Sequence, residues 1–295
     1  MRKIGWLTAL LLAGCGSGTI HGNGDGGPPD GQPHPDAALW DGGALPDGAL
    51  QPDGSLQQDA APGQDAAVQQ DAQTTGVTPP IGGSSGGSGG TTAPSGAQAT
   101  AGSVGYIRIV PAGYQQAVPA RLMIVYSGTE GAQQMTNNLL QVAGPFGLGD
   151  VIFAVLDGVT YYGNGAAGAT VLDHVRSLYN IDNDRTFLLS ESAGTSAGLQ
   201  LGLDLRQSYF AAYWANDVNA SATPVLTAGA LGFAPWGNAG PGGDFADANA
   251  IVAGMQSAGY RLPADAPYSG TGSGTHGSPD QFMAAISFFN GKSRL

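Results

Sequence analysis

The sequence predicts an α/β domain, a buried and mostly parallel sheet with helices on both faces, preceded by a disordered N-terminal linker. Three observations carry that reading. From residue 104 onward, short apolar runs alternate with stretches whose apolar residues recur at helical spacing. Most of the short runs are apolar at every position, as strands covered on both faces require. The first hundred residues, by contrast, hold too few apolar side chains to bury a core. The 295 residues would admit two domains by length, but this composition supports one.

Residues 1–15, MRKIGWLTALLLAGC, have the layout of a targeting segment. Arg2 and Lys3 supply the positive start, and Ile4 to Leu12 form an apolar stretch too short to span a bilayer. The end, Leu12-Ala13-Gly14-Cys15, resembles a bacterial lipobox, which marks Cys15 for lipidation. Cys15 is the only cysteine, so the exported domain is expected to hold together without an internal disulfide. The expected location is the bacterial cell envelope or surface, with membrane contact only through the lipid anchor.

Residues 16–101 are Gly, Pro, Asp, Gln, Ala, Ser and Thr for the most part. Aspartates fall at 25, 30, 36, 41, 47, 53, 59, 65 and 71, six apart from Asp41 onward. A six-residue period without a regular aliphatic position gives nothing to stack. The segment therefore reads as a self-repelling acidic linker ending in a Gly/Ser hinge, IGGSSGGSGG. It has no Lys or Arg, which argues against nucleic-acid binding. Its expected role is reach, on the order of 50 Å.

Residues 102–295 form the predicted globular domain. VGYIRIV and ARLMIVYSG are strands, MTNNLLQVAG a helix and GDVIFAVLDG a buried strand. TVLDHVRSLYN sets Val171, Leu172, Val175 and Leu178 at helical spacing. RTFLLS is a strand, SAGLQLGLDLRQ a helix, and ALGFAPWG a further strand. In DANAIVAGMQSAGY, Ile251, Val252 and Met255 share a face and Gly259 stops the helix. The last helix, SPDQFMAAISFF, has Ser278 as its cap and Pro279 in its first turn.

Chemistry concentrates where RTFLLS meets its helix. Ser190-Glu191-Ser192-Ala193-Gly194 is almost G-x-S-x-G, with Ser190 in place of the first glycine. A serine in such a tight strand-to-helix turn has its Oγ pushed out at the carboxyl edge of the sheet, and small neighbours let strand and helix close together. A hydroxyl needs a base. His174 lies mid-helix and reads as a solvated residue, while His276 sits in the Gly-rich loop GSGTHGSPD and is the candidate base. An acid should lie between them. Of Asp204, Asp217, Asp244, Asp247 and Asp265, the favoured one is Asp244, in GPGGDFADANAIV, with Asp247 as its alternative and Asp217 behind both. The oxyanion donors would be the N–H of Ala193 and that of Thr129 or Gly128, in the loop after LMIVYSG.

These residues resemble a family. YIRIVPAGYQQAVPARLMIVYSG, LYNIDNDRTFLLSESAGTSAG, SYFAAYW and GTHGSPDQFMAAISFF are similar, in order, to blocks of secreted α/β-hydrolases of the polyhydroxyalkanoate-depolymerase and feruloyl-esterase type. The resemblance covers residues 104–292. It implies an α/β-hydrolase-like sheet, Ser192 as nucleophile, His276 as base and an acid at Asp244. The chain departs from the family at Ser190 and at Ser127, which stands where the family has the histidine of H-G; it also lacks the family's disulfides and any visible lid.

The expected function is a serine hydrolase acting on a small or polymeric ester through an acyl-enzyme, as a monomer. Ser190 and Ser127 motivate an alternative, a silent hydrolase-fold binding module; a serine peptidase on the same scaffold is another. No cofactor is expected. No metal is expected either, since no histidine pair has ligand spacing. No phosphate loop is present, because the Gly-rich segments lack the lysine that should follow.

Overall fold

The computed structural model describes residues 78–295. Cys15, the targeting segment and the aspartate repeat lie outside the described residues. Seven strands form one sheet in the order β1-β2-β4-β3-β5-β6-β7. They are β1 Ala93–Ala101, β2 Val104–Val110, β3 Ala120–Tyr126, β4 Ile152–Leu156, β5 Ile181–Glu191, β6 Ala212–Asn216 and β7 Trp236–Ala239. β4, β3, β5, β6 and β7 are parallel, and the β1–β2 hairpin joins them antiparallel through β4. Gly102, at φ 58°, makes the turn of that hairpin. This is the α/β-hydrolase-like, mostly parallel sheet that the sequence predicts.

The continuous apolar runs are explained by two covered faces. Along β3, Leu122 and Ile124 point into one core while Met123 and Val125 point into the other. The first core is closed by α2 (Gly165–Leu178), α3 (Thr195–Leu199, continued by a wide-turned segment Gln200–Leu205) and α5 (Phe245–Ser257), through Val171, Leu201, Ile251 and Met255. The second is closed by α1 (Gly131–Val142) and α6 (Pro279–Phe289), through Met135, Leu139, Ile286 and Phe289. Each such side chain contributes roughly 1.5–3 kcal/mol on burial. Ser278 caps α6 as the sequence predicts, its hydroxyl accepting from the Gln281 N–H at 3.5 Å with Pro279 in the first turn.

Two expectations need correction. The linker does not run to residue 101. β1 lies within it, and IGGSSGGSGG is packed against the domain rather than acting as a hinge. Ser84 bridges Asp182, the Ser85 N–H donates to Ile181 O at 2.8 Å, and the Ser85 hydroxyl donates to Tyr179 O at 2.7 Å. A Cβ on Gly90 would lie 2.1 Å from the Tyr179 ring, so the glycine is there for close approach. The folded part therefore includes residues 78–101. The second correction concerns ALGFAPWG. Its first two residues end the short helix α4 (Ala228–Leu231), which stops at Gly232 with φ 76°, and the strand begins only at Trp236. β6, Ala212–Asn216, is a strand that the sequence reading did not single out.

Candidate active site

Strand β5 delivers Ser190 and Glu191 to the carboxyl edge, and the chain turns sharply at Ser192 into the 3-10 turn Ser192–Gly194 and then α3. Ser192 has φ 45°, one of two non-glycine residues in the left-handed region among those described. Such a backbone costs of the order of 1–3 kcal/mol and persists where the surroundings over-determine it. The surroundings here are small. A Cβ on Gly194 would lie 2.6 Å from Ser127 O, and one on Gly158 would lie 1.8 Å from the same oxygen. The turn is a nucleophile elbow in geometry.

Ser190 does not spoil it. The residue is fully buried, and its hydroxyl shares a hydrogen bond with Tyr213 Oη at 3.0 Å. The compensation comes from the following helix, where a Cβ on Gly198 would lie 2.4 Å from Ser190 Cβ. The glycine missing from the strand reappears on the helix that packs over it. Ser127 is also accommodated structurally: its hydroxyl accepts from the Gly158 N–H at 3.1 Å and donates to Gly128 O at 3.2 Å.

The structure brings Ser192 and His276 together, with Oγ 2.9 Å from Nε2. Ser192 is buried and His276 is exposed on its loop before α6. Two sequence-chosen acids go elsewhere. Asp244 is the N-cap of α5, its Oδ1 accepting from the Asp247 N–H at 3.1 Å, and it is exposed; Asp247 stands in the first turn of that helix. Among the described residues no aspartate, Asp217 included, is hydrogen-bonded to the His276 ring, whose one side-chain partner is Ser192. The capping that Asp244 provides satisfies an N–H that would otherwise be orphaned, which is why the residue is there.

The carboxyl that contacts the histidine loop is Asp217. It follows β6 at φ 47° and is buried. Its Oδ2 accepts from the Gly277 N–H at 2.6 Å, one residue past His276, and its Oδ1 accepts from Gln281 Nε2 at 2.6 Å. The glycines of GPGGD serve this residue. A Cβ on Gly242 would lie 2.3 Å from Asp217 Oδ1, and one on Gly240 would lie 2.5 Å from Asn216 Oδ1. They let the β7 loop close over the end of β6. The signal available in the sequence was the apolar run FAAYWA ending in Asn216-Asp217.

Two further carboxyls flank the serine, and sequence reasoning missed both. Glu191, next to Ser192, is buried and accepts from Asn216 Nδ2 at 2.9 Å. Burial pushes its carboxyl well above the ordinary glutamate range, and the neighbouring Asp217 and Glu130 carboxyls push the same way. Glu130 is an exposed residue whose carboxyl folds inward, so that its Oε1 accepts from the Gly128 N–H at 3.0 Å. Desolvation raises this carboxyl as well, against the hydrogen bonds that favour its charge. Gly128 N–H is thus occupied, whereas no hydrogen bond takes the Thr129 N–H among the described residues. Ala193 opens the turn after Ser192, where N–H groups have no intrahelical acceptor.

No protein-family model and no curated protein sequence matches the chain. Solved structures align with part of the chain. A thermostable esterase is 13% identical with a TM-score of 0.47, over 65% of this chain and 60% of its own. This chain therefore spans about three fifths of that protein. A poly(3-hydroxybutyrate) depolymerase from Bordetella parapertussis is 16% identical with a TM-score of 0.43, over 62% of this chain and 88% of its own. A ferulic acid esterase from the anaerobic fungus Anaeromyces mucronatus is 12% identical with a TM-score of 0.44, over 63% and 83%. At these identities and scores they carry no residue roles to this chain.

Proposed function

We propose that the protein is a serine hydrolase cleaving carboxylic esters through an acyl-enzyme, with Ser192 as nucleophile, His276 as base and Asp217 as the acid. The observation that carries this is the 2.9 Å contact between Ser192 Oγ, on a strained left-handed elbow, and His276 Nε2. A core serine has no need of such a backbone, and a strained residue held beside a histidine supports a chemical role.

Ser192 Oγ would attack the ester carbonyl carbon as His276 Nε2 takes the Oγ proton. The oxyanion would be met by the N–H groups of Ala193 and Thr129. The imidazolium would then give its proton to the leaving alcohol oxygen as the C–O bond breaks. Water repeats the sequence on the acyl-enzyme, returning the proton to Ser192 and releasing the acid. Asp217 would serve the histidine by placing its loop, accepting from the Gly277 N–H one residue past His276. Asp217 replaces Asp244 in this role because Asp244 is engaged at a helix end.

Export through residues 1–15 and lipidation at Cys15 remain part of the proposal, with an ester outside the cell as the substrate. Support comes from the residue pattern MRKIGWLTALLLAGC alone. The decisive experiment is hydrolysis of short-chain p-nitrophenyl esters by the wild type and by Ser192→Ala. Loss of at least a thousandfold in kcat/KM is expected; an unchanged rate would end the reading.

A further inference from the structure

We infer that Glu130 is a positioning residue for the proposed hydrolase: its side chain holds the Gly128 N–H and leaves the Thr129 N–H as the loop's donor to the oxyanion. The inference rests on the serine-hydrolase reading and deepens it.

The loop after β3 runs close beside the nucleophile. A Cβ on Gly128 would lie 3.1 Å from Ser192 Cβ and 3.2 Å from Glu191 Cγ, so only a glycine brings the backbone this near the elbow. Glu130 Oε1 accepts from the Gly128 N–H at 3.0 Å, and Oε2 would lie 2.5 Å from the same Cβ. The carboxyl thus fills the space that a side chain at 128 would take. Asp157, in the loop after β4, fixes the far end of the segment. Its Oδ2 accepts from the Ala132 N–H at 3.3 Å and its Oδ1 from the Thr160 N–H at 2.8 Å.

The next peptide is pinned through its carbonyl. Gly128 O accepts from the Ser127 hydroxyl at 3.2 Å and from the Gly131 N–H at 3.3 Å, which closes a turn over Thr129 and Glu130. The bond between Gly128 and Thr129 is trans, so its N–H and C=O point in opposite directions. With Gly128 O held by two donors, the Thr129 N–H faces away from both, and it has no acceptor among the described residues. Two N–H groups of this loop could meet an oxyanion, and Glu130 takes one of them. An acceptor already seated on Gly128 keeps a second oxygen off that donor. The donor left is Thr129, on a peptide held from both of its neighbours. Such preorganisation is what an oxyanion site requires.

Ester hydrolysis by the full chain tests this in wild type, Glu130→Gln and Glu130→Ala. The amide oxygen of Glu130→Gln can still accept from Gly128, whereas Glu130→Ala releases that N–H and the loop. Glu130→Ala should lose at least about tenfold in kcat with KM within about threefold of wild type, because the oxyanion exists only beyond the ground state. Glu130→Gln should recover most of that loss. An equal or higher kcat in Glu130→Ala would overturn the inference, since the carboxyl would then compete with the oxyanion rather than support the loop.

Amide hydrogen exchange at Gly128 reads the clamp itself, whatever the enzyme does. It should be faster in Glu130→Ala than in wild type, and close to wild type in Glu130→Gln. Unchanged exchange in Glu130→Ala would also overturn the inference. Normal hydrolysis by Ser192→Ala would end the hydrolase reading and this role with it. A rate lost in Ser192→Ala but kept in Glu130→Ala would end this inference alone.

Discussion

Ser192 is the residue on which the rest converges, and its neighbours explain why a serine at position 190 is tolerated. Replacing Ser190 by glycine removes the bond to Tyr213 Oη and leaves a small void. Unfolding free energy should drop by about 1 kcal/mol, with ester hydrolysis within a few-fold of wild type. The reciprocal change, Gly198→Ala, forces a methyl group into Ser190. It should destabilise by about 1–3 kcal/mol and be partly rescued by adding Ser190→Gly, because the two side chains share one space. A denaturant titration of both single variants and the double variant reads this coupling. The acid is decided by a different pair. Asp217→Asn should lower kcat by about 10³–10⁴-fold. Asp244→Ala should cost only the helix cap, about 1 kcal/mol of stability, with kcat intact. The opposite ranking would restore Asp244.

At the scale of elements, the parts governed by local chemistry were legible and the parts governed by contact were not. The capping of α6 by Ser278 and the serine turn after β5 follow from side chains acting on their own backbone. The β7 loop was read as the carrier of an acid, Asp244, because its glycines follow a strand and precede a helix. They are there to make room for Asn216 and Asp217, which no local pattern announces. β1 was assigned to the linker for the same reason: APSGAQATA has little strand propensity and is held by its register against β2, Ala97 opposite Arg108 and Ala101 opposite Val104. The fold class and the Ser192–His276 contact could thus be read from sequence, while the contact of Asp217 with the histidine loop could not. A chain starting at residue 102 should consequently unfold at a clearly lower temperature than one starting at residue 78. Equal melting temperatures would mean that β1 and the segment before it contribute nothing to the fold.

Across the whole domain, the C-terminal end is fastened to the segment before β1. Arg294 is buried, its Nη1 donating to Pro79 O at 2.8 Å and its Nη2 to Ser208 O at 2.7 Å. Desolvation brings its guanidinium down to about 10. Arg294→Ala leaves two buried carbonyls without donors and should cost roughly 1–3 kcal/mol for each group left unpaired, without touching the site. Stability should also depend on pH through Glu191. Its carboxyl lies higher in the folded than in the unfolded chain, so the native state holds a proton that the unfolded state has released. That contribution is complete below the ordinary glutamate range and is lost as pH rises through the raised value. The melting temperature of wild type should therefore decline relative to Glu191→Gln from mildly acid to alkaline pH. The most direct test of the central claim is covalent labelling of the protein with a fluorophosphonate probe, with the modified peptide mapped by mass spectrometry. Label on Ser192 alone, absent in Ser192→Ala and His276→Ala, is the expected result. A folded protein that takes no label, or takes it on another residue, would contradict an activated Ser192–His276 pair.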